Sequence, residues 1–183
     1  MKIKMSTPKI LRTLYFLSWI IFTGLCIEAG GFIINAFFAL VHPSAIPRLW
    51  KEVDLSGLFQ SGHGYFFVVT LIMSIVAVMK VWLFFLIIKN LQNKKLNITK
   101  PFNMEIRHLI FLLSYISLII GLFCLSGGKY IEWLVLKGIR VPDIQYLGLG
   151  GYDVWLFMAV ILFVVGQVFK RGIEIQTENE LTI

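Results

Sequence analysis

Charge is scarce in this sequence. Only 15% of its 183 residues are charged and 58% are hydrophobic, with a mean hydropathy of +0.83. Soluble domains carry about a quarter charged residues, so this composition excludes a water-soluble globule. Acids are rarer still: 10 Asp and Glu against 17 Lys and Arg, a formal net charge of +7. Cysteine is almost missing. Cys26 and Cys124 form no CxxC and have no histidine at ligand spacing, which excludes zinc and thioredoxin-like sites. With 3 histidines and no P-loop, HExxH or Ser/His/Asp arrangement, the chain shows no catalytic centre, and no enzyme, metal or cofactor is expected. There is no internal repeat, so an inverted-repeat transporter is unsupported. No run alternates at period two, so a lipid-spanning barrel is excluded.

What is present are four long apolar runs. A membrane helix needs about 20 mostly apolar residues, and residues 14–40, 65–88, 109–125 and 152–169 meet that need. They predict an all-α integral membrane protein: a four-helix transmembrane bundle in one domain over residues 1–183, with a tail at 170–183. The opening "MKIKMSTPKILR" resembles the basic start of a signal peptide, but the apolar run after it is too long for one, so a retained span is expected.

Lys and Arg set the direction. Lys2, Lys4, Lys9, Arg12, Lys89, Lys94, Lys95, Lys100, Arg107, Lys170 and Arg171 flank one side; Arg48, Lys51, Lys129, Lys137 and Arg140 flank the other. The excess places both termini in the cytoplasm. Tyr15, Trp19, Trp82, Tyr152 and Trp155 stand where interfacial aromatics are expected. Because the basic residues border apolar runs, anionic lipid headgroups are their expected partner, with no direct binding of nucleic acid.

The connections differ in texture. Residues 42–64 are rich in Pro and Gly, with a short helix expected at 46–53. Within 126–151, "KYIEWLVLK" reads equally as a strand or an interfacial helix. In the basic inner linker, Pro101 suits a first helical turn and Asn103 suits an N-cap. His42 and His63 stand at outer span edges, Asp153 suits the first turn of a helix, and Gln167 suits a bond to a neighbouring helix.

One acid lies inside a span. Glu28 sits roughly 21 Å along the first helix from residue 14, where an ionised side chain costs about 2.5 kcal/mol or more. Three arrangements would accommodate it: a protonated carboxyl, a wet crevice or a nearby cation. Lys80 is the obvious cation, but counting from the span ends offsets it by about 9 Å along the bilayer normal. Lys80 therefore either snorkels to the headgroups or couples to Glu28, with Lys129 and Arg140 as rival partners. Glu28, Gly31 and Asn35 share one helical face at i, i+3 and i+7. That stripe is either a packing seam or the lining of a ligand or ion site that includes Lys80. Gly24, Gly30 and Gly31 together suggest close approach of another helix.

The end of the chain, "FKRGIEIQTENELTI", resembles the C-terminal phrase "FKRGVELQEENDLTV" of the bacterial membrane family catalogued as domain of unknown function 2975. "LCIEAG", "LWKEVDLS" and "KPFN" are similar to segments of its members from Bacteroidetes, so the likeness runs along nearly the whole chain. The resemblance implies a multi-pass protein of the bacterial inner membrane with about four spans and no assigned activity. Family genes often adjoin those of small helix-turn-helix regulators, which implies such a protein as a cytoplasmic partner.

Two functions follow as expectations. In the first, the chain is a signalling or interaction protein whose tail residues Glu174, Gln176, Glu178, Asn179 and Glu180 hold that regulator. In the second, it is a small transporter or ion-coupled protein built around Glu28, which with four spans would need a homo-oligomer.

Overall fold

In the computed structural model, which describes residues 7–41, 55–92 and 103–181, each apolar run is one helix that outlasts it. The elements are α1 (Thr7–Val41), α2 (Ser56–Ser61), α3 (His63–Gln92), α4 (Met104–Leu136) and α5 (Tyr152–Leu181). No strand occurs among the described residues. The four long helices are each long and apolar enough to cross a membrane, over Leu11–Phe38, His63–Gln92, Met104–Leu136 and Tyr152–Glu178. The short helix expected at 46–53 and the turn at Pro101 lie outside the described residues.

The termini of α4 are set by local chemistry. The Asn103 side chain accepts a hydrogen bond from the Glu105 N–H at 2.9 Å, the expected N-cap. At the other end Gly138, with φ +80°, donates to the Val135 carbonyl, and Ile139 donates to that of Leu134. This pair of bonds is the Schellman stop, and it requires a left-handed residue there. The expected end of the third span near residue 125 is therefore too early, and "KYIEWLVLK" is neither a strand nor a separate interfacial piece. Its residues through Leu136 continue α4, because no helix-stopping geometry occurs before Gly138. Gly127 and Gly128 stay helical and buried.

The helices form a bundle of two antiparallel pairs. α1 packs extensively on α3 and α4 on α5, while α3 and α4 share a smaller seam. Ring contacts fix the registers: Phe22 meets Phe85 at 6.4 Å, Tyr65 meets Trp133 at 6.2 Å, and Phe111 meets Phe163 at 5.6 Å. The α4–α5 seam is close because small residues line it. A Cβ on Gly121 would come within 2.9 Å of Leu156 Cγ, one on Gly166 would meet the Phe111 ring at 3.1 Å, and Ser114 Oγ donates to the Ala159 carbonyl at 2.7 Å. Small residues are what allow helices to associate closely where lipid offers no hydrophobic driving force. By contrast, Gly24 and Gly30 have open space where a Cβ would sit. The close approach expected at those two glycines of α1 occurs on α4 instead.

Beyond α4 the chain turns back into the mouth between the helices. Leu147 and Leu149 are fully buried, in one core with Phe32 of α1, Leu58 of α2, Phe66 of α3 and Ile120 of α4. Gly127 and Gly128 make room for this strap: Cβ atoms there would lie 3.1 Å from Leu149 and 2.9 Å from Ile144. α2 covers it from outside, with Gly57 against the Arg140 backbone.

Candidate functional site

The strap carries the candidate site to the charged residues. Asp143 starts its turn, its carboxylate accepting from the Gln145 N–H at 2.9 Å. The turn closes as α4 does: Gly148, at φ +67°, donates to the Gln145 carbonyl, and Leu149 donates to that of Ile144. Leu147 and Leu149 are held in the core, and the half-buried Gly148 between them turns its carbonyl toward α3. It accepts a hydrogen bond from Lys80 Nζ at 2.8 Å. The same ammonium lies 6.0 Å from the ring centroid of Trp155, in the first turns of α5, at the outer reach of a cation–π contact.

Glu28 stands across Gly148 from this lysine. The point where a Gly148 Cβ would sit is 3.0 Å from Glu28 Oε1 and 3.9 Å from Lys80 Nζ, with Phe32 Cε2 at 3.7 Å. The two charges thus share one neighbourhood without a direct ion pair between them. The expected 9 Å offset is wrong, and the register shows why. Six residues forward along α1 from Phe22 to Glu28, and six back along α3 from Phe85, lead to Met79 beside Lys80. Depth counted from the ends of apolar runs fails because packing, not run length, sets the register of α1 on α3. Simple snorkelling of Lys80 is likewise replaced by its bond to Gly148. The rival cations do not reach the acid: Lys129 and Arg140 are exposed, and the Arg140 backbone lies against α2.

The rest of the α1 stripe faces inward. Gly31 and Asn35 are buried and Glu28 is half-buried, on the same side as Ala29 and Phe32 of the core. The structure brings Glu28 and Lys80 together at Gly148. It places Gly31 and Asn35 further along the same face. Cys26 is exposed and Cys124 buried, both free thiols. The His63 ring packs edge-on against Phe59 at 4.7 Å, and His42 lies outside the described residues. Asp153 stands in the first turn of α5, and Gln167 is exposed. No group of three or more His, Cys, Asp and Glu that could hold a metal occurs among the described residues.

In the tail, α5 continues as helix to Leu181. Arg171 and Glu174 pair at 3.1 Å on the surface, Gln176 is half-buried and Glu178 exposed. The side chains of Asn179 and Glu180 lie outside the described residues.

Gly148 and Trp155 were not legible as site residues. The available sign was the density of glycines in "LGLGGYD", with three of them within four positions, which marks close backbone approach as readily as an ordinary loop.

Replacing Gly148 by alanine tests how tightly the strap is held. The left-handed backbone costs a β-carbon about 1–2 kcal/mol, and the new methyl would press on Glu28 at 3.0 Å. The expected result is a clear fall in melting temperature, whereas Gly30→Ala, with open space around it and a better helix former in place of glycine, does not lower it.

No protein-family model, no curated protein and no solved structure matches this chain.

Proposed function

We propose that this chain is a small signalling or interaction protein of the bacterial inner membrane, related to the family catalogued as domain of unknown function 2975. In this reading both termini are cytoplasmic, and the tail holds a helix-turn-helix regulator. The observation that carries it is the continuity of α5. One uninterrupted helix begins beside the Lys80–Gly148 bond and ends at Leu181. The Phe111–Phe163 contact sets the start of α4 opposite about residue 170 of α5. The helix from Arg171 onward therefore projects past its neighbour.

A displacement of the strap at the outer end would move the first turn of α5, and a stiff helix carries such a movement along its axis. Lys80, Gly148 and Glu28 are then the element whose arrangement changes, and Glu174, Gln176, Glu178, Asn179 and Glu180 are the surface that reports it. Ion-coupled transport around Glu28 is less well supported, because the chain shows no internal repeat of the kind that builds carriers.

The test is co-purification from membranes of a small helix-turn-helix regulator, comparing the full chain with one ending at Arg171. The full chain retains the regulator and the shortened one loses it. Equal recovery by both would remove the docking role of the tail.

A further inference from the structure

We propose that Gly148, Glu28 and Trp155 form a binding site for a primary ammonium ion, which Lys80 fills as a tethered occupant and which a free alkylammonium can take in its place. One carbonyl bonds the ammonium, and two further cation-stabilising groups of different chemistry stand near it, all from different parts of the chain. The Gly148 carbonyl of the strap accepts from Lys80 Nζ at 2.8 Å, and the Trp155 indole of α5 lies 6.0 Å away. The Glu28 carboxylate of α1 stands across Gly148, its Oε1 3.0 Å from the same point that is 3.9 Å from Nζ.

A lysine that only snorkels to the headgroups needs none of these partners, since water and phosphate would serve its charge. Here the backbone is shaped to supply one. The left-handed Gly148 turns the strap so that its carbonyl meets the ammonium, and no side chain at that position intervenes. A backbone carbonyl, an aromatic face and a carboxylate together favour a compact cation bearing N–H donors. None of them depends on the four methylenes that tether the lysine to α3. Glu28, Lys80 and Trp155 are each only partly buried, so the protein itself does not enclose the site. The site stands on its own, whether or not the tail has a cytoplasmic partner.

Lys80→Ala provides the test, with the protein in lipid nanodiscs. The substitution removes three methylenes and the ammonium, the atoms that n-propylammonium would restore. Thermal unfolding is followed with n-propylammonium, n-propanol, tetramethylammonium and potassium, the salts at matched ionic strength. The expected result is a rise in melting temperature of about 2–4 °C with n-propylammonium, and none with the other three. An equal rise with propanol would mean that only an apolar cavity is being filled. An equal rise with potassium or tetramethylammonium would mean that no N–H donor is recognised. No rise with any of them would mean that no site exists; each of these results overturns the proposal.

A second measurement keeps Lys80 in place, in case the alanine variant does not fold. In a Cys26→Ser, Cys124→Ala, Leu149→Cys chain, n-propylammonium should increase maleimide labelling of position 149 several-fold by freeing the strap. Labelling that does not change would overturn displacement of the lysine. Both measurements read the site alone, so their failure is distinct from a failure of the tail to hold a regulator.

Discussion

Lys80→Met is expected to destabilise the protein, and adding Glu28→Gln to cost less than the two single changes predict together. Methionine keeps much of the apolar stem of lysine but donates no hydrogen bond. The Gly148 carbonyl, which accepts from Nζ at 2.8 Å, is then left without that donor. A buried carbonyl left unsatisfied costs about 1–3 kcal/mol, and the half-buried Gly148 stands at the lower end of that range. The Glu28 carboxylate also loses the nearby ammonium. Glutamine at position 28 removes the charge that has lost its compensation, and the second substitution should recover stability. Residues that share one network typically couple by about 0.5–3 kcal/mol. A four-variant thermal unfolding cycle in one detergent measures this coupling. Strict additivity would mean that the two charges do not sense each other across Gly148, and the junction would then be two unrelated contacts. If the proposed signalling role holds, Lys80→Met also changes how much regulator the full chain retains, because the substitution frees the strap that leads into α5.

Gly121→Leu should have the larger effect on stability. A Cβ at Gly121 would lie 2.8 Å from Leu156 Cδ2 and 3.2 Å from the Leu156 backbone nitrogen. The side chain can rotate away, but the backbone nitrogen moves only if α5 moves. A leucine there forces α4 and α5 apart along the seam that also holds the Ser114–Ala159 hydrogen bond. Overpacking of this kind costs about 1–3 kcal/mol and sometimes more, and here one helix must shift as a whole. The comparison variant is Gly24→Leu. Nothing lies within 4 Å of a Cβ at Gly24, and leucine is the better helix former by up to about 1 kcal/mol, so that change should not destabilise the protein. Thermal unfolding of both variants in one detergent checks the contrast. If Gly24→Leu proved the more damaging, another chain or a second copy would have to cover α1 at that point. The contrast also follows burial, since Gly24 is exposed and Gly121 buried.

The two glycines show where reading along the chain loses its hold. Gly24 and Gly30 stand close to Glu28 in the sequence and suggest a seam, yet each faces open space. The glycines that are pressed against neighbours, Gly121, Gly127 and Gly128, stand in a run that reads as the end of a span and the start of a loop. Hydropathy makes the third span too short for a related reason. Hydropathy reports how much of a helix suits lipid, whereas Gly138 and its pair of closing hydrogen bonds decide where the helix stops. The Asn103 cap was legible because capping is local, with donor and acceptor two residues apart. The Glu28–Lys80 neighbourhood was half legible. Both residues stood out as charges in apolar runs, but their separation depended on a register that only Phe22 against Phe85 reveals.

The presence and apolar character of the four long helices could be read directly, though not their ends, because each depends on residues adjacent in the chain and on the hydrophobic transfer of their side chains. So could the presence of a misfit acid and a misfit base. Only the packed molecule decided that the base bonds to Gly148 and that the acid stands across the same glycine. That arrangement depends on Leu147 and Leu149 finding a core made by four other helices, and contacts between segments so far apart in the chain leave no periodic trace in it.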